Sequence, residues 1–299
     1  MLELSKLSGT KKISELSVSA AREQYNKSSK ERQKFIFRVG SIQEYLIRSD
    51  YHRIKARVYK PYQVAETELL PALIYFHGGG HVLGNLETHD QIARNFCTLA
   101  DCIVVTIDYR LAPENPYPAA LEDCVSVFLA LKNETGDEIA VAGDSAGGGA
   151  TLATAISLRD DYGLSPSCLY LISPWLDLTH SGESMESKAE VDVMLAPDWI
   201  HTAADRYRGD EDANNPGISP LLANLEGLPP ILIQVGDQEL LLSDSERLKD
   251  FASEAGVEVE IEIAKGLWHV YPLFAFIPEA KKSLGEAVRF IDEHNKLKN

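Results

Sequence analysis

A single serine, Ser145, stands among glycines in the stretch VAGDSAGGG at residues 141–149. Residues 143–147 match G-x-S-x-G, a pattern that exposes a nucleophilic serine when it joins a buried strand to a helix. Here the apolar run EIAV comes before the pattern and the helix-like run ATLATAISL follows it. Glycines two positions to either side of Ser145 would remove the collisions of so sharp a turn. We therefore interpret Ser145 as a candidate nucleophile.

Two other kinds of glycine-rich loop require features that this stretch lacks. A phosphate-binding loop needs G-x-x-x-x-G-K-[ST], and no lysine lies near Ser145. A dinucleotide-binding turn needs G-x-G-x-x-G, and the glycines from Gly143 to Gly149 do not have that spacing. A structural turn without chemistry remains open from this stretch alone.

A second glycine cluster follows another apolar run, in LIYFHGGGHVLG at residues 73–84. Three glycines in series leave backbone N–H groups able to converge on one point, as acyl transfer requires for its oxyanion. We expect one donor from Ala146, the residue after the nucleophile, and the others from Gly79 and Gly80. His77 is expected to hold this loop and not to act as the catalytic base.

The elements that must position these residues alternate between buried apolar runs and amphipathic stretches. The runs are PALIYFHGG, DCIVVTIDY, EIAVAGD, SCLYLISPW, PPILIQVGD and VEVEIEIAKG, with helix-like stretches between them. This alternation predicts an α/β fold with a mostly parallel sheet covered on both faces. The run VEVEIEI alternates cleanly and is expected near a sheet edge, where a homodimer through strand pairing is possible.

One long polar interval, residues 178–216, interrupts this rhythm between two strands. It contains Trp199, Tyr207 and Met194, which are candidates either for lining a pocket or for packing. Together with the polar, helix-like residues 1–45 it could form a lid over the strand ends, although a plain surface insertion is the alternative.

Composition restricts the classes of function. The net charge is −16, with the basic residues concentrated near the N-terminus, and an acidic body argues against nucleic-acid binding. No apolar run is long enough to span a bilayer and the N-terminus does not resemble a signal peptide, so we expect a cytoplasmic protein without stable membrane insertion. The four cysteines show no metal-ligand spacing and are expected to be buried thiols; we predict no metal and no cofactor.

The sequence resembles the hormone-sensitive-lipase-like branch of the α/β-hydrolases, which are carboxylesterases and lipases. The resemblance rests on ALIYFHGGGHVLG, VVTIDYRLAPENPYPAALED, VAGDSAGGG, LISPWLDL and GLWH, and it covers nearly the whole chain after residue 40. It implies an α/β-hydrolase fold with an eight-stranded sheet and a mobile helical cap. The implied division is a cap from residues 1–45 and 178–216, and a hydrolase core from residues 46–177 and 217–299.

The candidate base is His269, in the loop GLWH after the run VEVEIEIAKG. The chain order serine, acid, histidine places the acid in PPILIQVGDQELLLSDS, where Asp237, Glu239 and Asp244 compete. The family's spacing between acid and histidine points to Glu239, with Asp237 as the first alternative. The carboxylates that are not the acid are expected to be a turn residue and a helix N-cap.

Other charged residues near these motifs are expected to be structural. Asp108, Arg110 and Glu114 in DYRLAPE are predicted to form a salt-bridged brace, and Asp123 to hold a loop. Asp144, beside the nucleophile, is predicted to make an ion pair or to anchor backbone.

The function implied by the resemblance is hydrolysis of small-molecule esters with short or medium acyl chains. A lipase, lactonase, amidase or acyltransferase would use the same triad, because the shape of the pocket and not the triad selects the substrate. A non-catalytic small-ligand receptor is the alternative from another class, and the presence of Ser145, His269 and candidate acids argues against it.

Overall fold

The computed structural model describes residues 12–33, 37–49, 52–62, 71–135 and 138–295. Its centre is an eight-stranded sheet with the strand order β1-β2-β4-β3-β5-β6-β7-β8. The strands are β1 (Ser41–Arg48), β2 (Arg53–Lys60), β3 (Ala72–Phe76), β4 (Ile103–Asp108), β5 (Ile139–Asp144), β6 (Leu169–Ile172), β7 (Ile231–Gly236) and β8 (Val259–Ala264).

The six strands from β3 to β8 run parallel to one another, whereas β1 pairs with β2, and β2 with β4, in antiparallel fashion. The sequence prediction of a mostly parallel α/β sheet is therefore confirmed. Because the carboxyl ends of parallel strands meet at one edge, the loops that follow β3, β5, β6, β7 and β8 lie side by side.

Helices cover both faces of the sheet. Their bounds are α1 (Val18–Arg32), α2 (Asp90–Leu99), α3 (Ala119–Thr135), α4 (Ala146–Tyr162), α5 (Ser184–Ser187), α6 (Pro197–Arg208), α7 (Leu242–Glu254) and α8 (Pro278–His294), with short 3₁₀ turns at Ile13–Glu15, Pro220–Leu222 and Tyr271–Leu273. Apolar residues of α3, α4 and α7 pack into one core cluster, and those of α2 and α8 pack into a second. The two clusters contain alternate residues of β3 and β5, as expected for side chains that point to opposite faces of a sheet.

Local sequence explains where several helices begin and end. The Ser17 hydroxyl accepts a hydrogen bond from Ala20 N (3.3 Å) and caps α1. Pro197 and Pro278 occupy the first positions of α6 and α8, where a missing N–H has no cost. Gly163 ends α4 in the left-handed conformation, at φ 64°.

The alternating run VEVEIEI supplies β8, which is the last strand of the sheet as predicted. The homodimer suggested for this edge stays a prediction. All four cysteines are buried and free. Within the described ranges, none of the helices combines the length and the apolar character needed to cross a bilayer.

The two segments predicted to form a cap contact each other. Asp198 of α6 accepts a hydrogen bond from Ser14 Oγ (2.8 Å), and Lys12 Nζ lies 3.5 Å from the same carboxylate. The beginning of residues 1–45 lies outside the described residues. From α1, Arg22 Nε donates to the carbonyl oxygen of Val82 (2.9 Å), so the N-terminal helix is tied to the loop that follows β3.

The predicted brace of Asp108, Arg110 and Glu114 was wrong. Asp108 accepts the Leu86 N–H (2.8 Å). The Arg110 guanidinium instead pairs with Asp123 and Glu122, and Glu114 pairs with Arg22. Neighbouring residues in a loop point in different directions, so each finds its partner on another element. The Asp123 carboxylate also accepts Arg110 N (2.8 Å) and holds this loop, as predicted.

Candidate active site

Ser145 lies directly after β5 and before α4, in a sharply bent backbone with φ 54° and ψ −121°. Few residues other than glycine adopt a positive φ, and such strain persists only where the surroundings enforce it. Here Ser145 N donates to the carbonyl oxygen of Ile172 (2.8 Å), and the Ser145 carbonyl accepts from Trp175 N (3.0 Å) and Gly149 N (3.1 Å). The turn is therefore held by backbone contacts on both sides.

Glycine is required at the turn by close approach of backbone. A Cβ atom on Gly147 would lie 2.1 Å from the carbonyl oxygen of Phe76, at the end of β3. No side chain fits in that space, so the turn can sit against the neighbouring strand only with glycine at this position. The glycines around Ser145 thus allow a close turn from strand to helix. The predicted presentation of the serine above the sheet depends on this turn.

His269 and Glu239 lie in the loops after β8 and β7, and their side chains touch. His269 Nδ1 is 2.7 Å from Glu239 Oε2, and both side chains are buried. Because an ionised carboxylate can only accept, Nδ1 carries the proton of this hydrogen bond. The neutral imidazole then has its lone pair on Nε2, where a base must have it.

The pKa of His269 is raised above its ordinary value by the balance of two effects. Burial alone would lower the pKa, because it disfavours the charged imidazolium. The charge and the hydrogen bond of Glu239 oppose this, with smaller contributions from Asp192 and Asp144, and they prevail. The site therefore stabilises a positive charge on the imidazole.

The other two candidate acids point elsewhere. Asp237, in a turn as predicted, accepts the Gly266 N–H (2.7 Å). The Asp244 carboxylate accepts Leu176 N (2.7 Å) and Asp177 N (3.0 Å), which join α7 to the loop after β6. Burial raises the pKa of Asp244 to about 7. The prediction that it caps a helix was wrong, because α7 begins at Leu242 and Asp244 lies inside its first turn.

The loop after β3 contains the predicted oxyanion donors. Gly79 and Gly80 have φ values of 121° and 65°, which glycine alone adopts readily. Among the described residues, no carbonyl or side chain accepts the N–H of Gly79, Gly80 or Ala146. These three groups therefore have their hydrogen-bonding capacity available for a ligand.

Asp144, the last residue of β5, anchors the loop after β3. Its Oδ1 accepts Gly78 N (3.0 Å) and the Tyr75 hydroxyl (2.8 Å), and it lies 3.3 Å from His89 Nε2. Burial works to raise the pKa of Asp144, but the facing His89 and these hydrogen bonds lower it to about 2. The buried carboxylate is thus charged. It ties Gly78 to the end of β5, directly before Ser145, which agrees with the predicted role of Asp144 as an anchor for backbone.

His77 is held within the structure. Its Nδ1 lies 2.9 Å from the Gly78 carbonyl oxygen, and its ring stacks on Tyr109 with centroids 4.2 Å apart. Burial lowers the pKa of His77 to about 3, so the ring is neutral and fills a stacked position. This agrees with the predicted holding role.

Helix α6 lies over the loop that follows β3. A Cβ atom built on Gly80 would lie 3.0 Å from Ala203 Cβ and 3.5 Å from Trp199 Cζ2. His81 stacks on Tyr207 of the same helix, with ring centroids 3.8 Å apart. Ser145 is only 8% exposed, which agrees with a site covered from above.

Two residues that contact this site, Ser173 and Arg22, were not predicted from the sequence. Glu239 Oε1, the oxygen that faces away from His269, accepts Gly236 N (2.6 Å) and the hydroxyl of Ser173 (2.8 Å). Ser173 lies in the quoted motif LISPWLDL, directly after β6, and its place at a strand end was the available signal. Arg22, which holds the loop after β3, belongs to no motif and had no such signal.

Metal ligation has no support from side-chain geometry in the described ranges, where no three His, Cys, Asp or Glu side chains are grouped to hold an ion.

Comparisons with known proteins relate the chain to a family. A family model described as an alpha/beta hydrolase fold matches residues 73–273. An esterase of Acinetobacter venetianus is 36% identical over 232 residues, which cover 76% of each chain. An acetyl-hydrolase of Streptomyces hygroscopicus is 34% identical over 222 residues, which cover 73% of this chain and 74% of the relative. A crystal structure of a hormone-sensitive lipase from a metagenome library has a TM-score of 0.88 and 32% identity, and the alignment covers 99% of this chain and 96% of the other.

Proposed function

This chain belongs to the α/β-hydrolase fold family, in its hormone-sensitive-lipase-like branch, and on that premise we propose that it is a serine carboxylesterase acting on short- to medium-chain acyl esters. Relatives named as an esterase and an acetyl-hydrolase support ester hydrolysis. The observation that carries the proposal is the buried contact of His269 Nδ1 with Glu239 Oε2, at the sheet edge that also bears the strained Ser145.

The proposed reaction proceeds through an acyl-enzyme. His269 Nε2 takes the proton of Ser145 Oγ as this oxygen attacks the ester carbonyl carbon, and the carbonyl π-bond electrons move to the oxygen. Collapse of the tetrahedral intermediate breaks the bond to the alcohol oxygen, which leaves with the proton from His269. Water then attacks the acyl-enzyme in the same way, and the acid and free Ser145 are released.

Each neighbouring group has one task in this reaction. Glu239 orients the imidazole and stabilises the imidazolium that forms in both steps. The N–H groups of Gly79, Gly80 and Ala146 are proposed to donate to the oxyanion, and each such donor typically contributes about 10²–10³ in rate. Asp144 and Arg22 keep the loop that bears two of these donors in place.

The limit on acyl-chain length is proposed from the cover over the site. We propose that residues 1–45 and 178–216 act together as a cap on the core formed by residues 46–177 and 217–299, except that residues 41–45 belong to strand β1 of the core sheet. Trp199 and Ala203 approach Gly80 closely, which leaves little room beside the proposed oxyanion site for a long chain. Rates on p-nitrophenyl esters from acetate to palmitate would test this limit. A maximum at palmitate would indicate a lipase instead of an esterase.

The decisive experiment compares Ser145→Ala and His269→Ala with the parent protein on p-nitrophenyl butyrate. We expect kcat to fall by a factor on the order of 10⁵–10⁶ in each variant. Ser126→Ala on α3 and His201→Ala on α6 are matched controls that should keep the parent rate. Circular dichroism verifies that all variants fold, and a Ser145→Ala protein with the parent rate would refute the proposal.

A further inference from the structure

Ser173 and the peptide unit that precedes it make hydrogen bonds to Ser145, to Glu239 and to the residue that follows His269. Ser173 directly follows β6, which lies between the nucleophile's strand β5 and the acid's strand β7. The carbonyl of Ile172, in the same peptide unit, accepts Ser145 N (2.8 Å). The Ser173 hydroxyl donates to Glu239 Oε1 (2.8 Å) and accepts Val270 N (3.0 Å), the amide that follows His269.

The backbone of Ser173 is fixed in a conformation that it would not adopt alone. Its φ is 44°, its side chain is fully buried, and its N–H donates to the carbonyl oxygen of Gln234 on β7 (2.8 Å). A positive φ is unfavourable for a non-glycine residue, because it brings Cβ close to the following carbonyl oxygen. A serine held in this conformation, with both hydrogen-bonding functions of its hydroxyl occupied, is a candidate for a role at the site.

The length of the glutamate side chain explains what the hydroxyl contributes. Glutamate has one more rotatable bond than aspartate, so its carboxylate needs additional contacts to stay in one orientation. Gly236 N and the Ser173 hydroxyl both hold Oε1, and this leaves Oε2 directed at His269 Nδ1. The bond from Val270 N to the same hydroxyl holds the backbone beside His269 in a matching position.

We propose that Ser173 is a positioning residue that aligns Glu239 and His269 with the strand carrying Ser145. This inference rests on the proposed function, because the acid and the base are roles within it. A misplacement of about 1 Å in such an arrangement costs on the order of 10²-fold in rate, so loss of the hydroxyl affects kcat although Ser173 touches no substrate.

The test uses two variants of the full chain and one matched control. Ser173→Ala removes the hydroxyl, and Ser173→Gly also removes the backbone strain, so the glycine variant is the safer one for folding. Ser219→Ala is the control: Ser219 is equally buried, accepts Leu178 N (2.8 Å) and donates to the Ala213 carbonyl (2.6 Å), but contacts neither Glu239 nor His269.

On p-nitrophenyl butyrate we expect both Ser173 variants to lose about 10- to 100-fold in kcat with little change in KM. The control should lose stability by a similar amount to Ser173→Ala while keeping kcat. An unchanged kcat in Ser173→Gly, or an equal loss of kcat in Ser219→Ala, would overturn the proposal.

A second measurement separates this proposal from the proposed function. The His269 Nδ1 proton, hydrogen-bonded to Glu239, should give a downfield proton resonance that Glu239→Gln alters and thereby identifies. We expect this resonance to move upfield or to broaden in both Ser173 variants and to persist in Ser219→Ala, whether or not the protein hydrolyses esters. The same resonance in the parent and in Ser173→Gly would show that the hydroxyl does not position the pair.

Discussion

Glu239 and His269 are 30 residues apart in the chain, yet Oε2 of one lies 2.7 Å from Nδ1 of the other. The contact forms because β7 and β8 are adjacent and parallel, so the loops at their carboxyl ends meet. Both side chains are buried, and the carboxylate has two further donors in Gly236 N and Ser173 Oγ. This pair is therefore rigidly oriented, and the assignment of the catalytic acid follows as a prediction.

Replacement of Glu239 should reduce activity far more than replacement of Asp237. In Glu239→Ala the imidazole loses the group that orients it and stabilises its charge, so we expect kcat to fall by a factor on the order of 10⁴. Asp237→Ala loses the contact with Gly266 N, about 1 kcal/mol of stability, and keeps most of the activity. Steady-state kinetics with urea unfolding distinguishes the two; near-parent activity in Glu239→Ala would transfer the role to another carboxylate.

The pH profile should report the raised pKa of His269. His269 must be neutral to accept the proton of Ser145, and a raised pKa keeps it protonated up to a higher pH. The midpoint of the acid limb of kcat/KM is thus expected above pH 6.5, the ordinary pKa of histidine. In Glu239→Gln the negative charge is lost, so the limb should move to lower pH while the rate falls. Asp237→Asn serves as the control and should leave the midpoint of the acid limb unchanged. An acid limb with the same midpoint in Glu239→Gln as in the parent would contradict the assignment of Glu239 as the partner of His269.

Arg22 should support the reaction from the N-terminal helix. Its guanidinium donates to the carbonyls of Val82 (2.9 Å) and Ala112 (3.1 Å) while it pairs with Glu114, so it fixes the end of the loop after β3, which bears the proposed oxyanion donors. Arg22→Ala is expected to lower kcat by about tenfold, because a displaced donor stabilises the oxyanion less well.

Lys12→Ala is the control for Arg22→Ala, because it removes only the exposed contact with Asp198 and should keep the parent kcat. Removal of residues 1–40 should likewise leave a folded but impaired enzyme. Full activity of that truncated protein on the same esters would show that the N-terminal segment has no part in the reaction.

Asp244 should make the folded protein less stable as the pH rises. Its pKa is about 7 in the folded state against an ordinary 3.8, so the folded state binds the proton more tightly. The resulting stabilisation is fully present below 3.8 and is lost as the pH rises through about 7. In Asp244→Asn, whose amide oxygen can still accept Leu176 N and Asp177 N, this loss should disappear.

The measurement for Asp244 is the free energy of unfolding in urea as a function of pH. The difference between Asp244→Asn and the parent should grow in favour of the variant from acidic to neutral pH. Asp250→Asn, at an exposed position of α7, should run parallel to the parent protein. A constant difference between Asp244→Asn and the parent would show that folding does not raise the pKa of Asp244.

Much of this protein was predictable from sequence because the signals are local. A buried strand, a glycine-rich turn and a helix are consecutive in the chain, so the position of Ser145 and the bare amides of the loop after β3 follow from short motifs. The fold class also follows from alternating runs, and β8 was correctly expected at an edge because its residues alternate.

The partners of charged and polar side chains depended on the tertiary structure. Asp108, Arg110 and Glu114 are close in sequence, yet each binds a group on a different element. The family's spacing between acid and histidine favours Glu239, but spacing along the chain does not fix the direction in which a side chain points, and Asp237 lies only two residues away.

The sequence by itself thus determined the candidate nucleophile, the loop of donors, the candidate base and the order of the elements. Only the tertiary structure decided which carboxylate faces His269 and that Ser173 and Arg22 reach the site. The physical reason is that a hydrogen bond joins atoms about 3 Å apart with a defined direction. Contacts such as Ser173 to Glu239, 66 residues apart, form only when the sheet has brought the ends of its strands together.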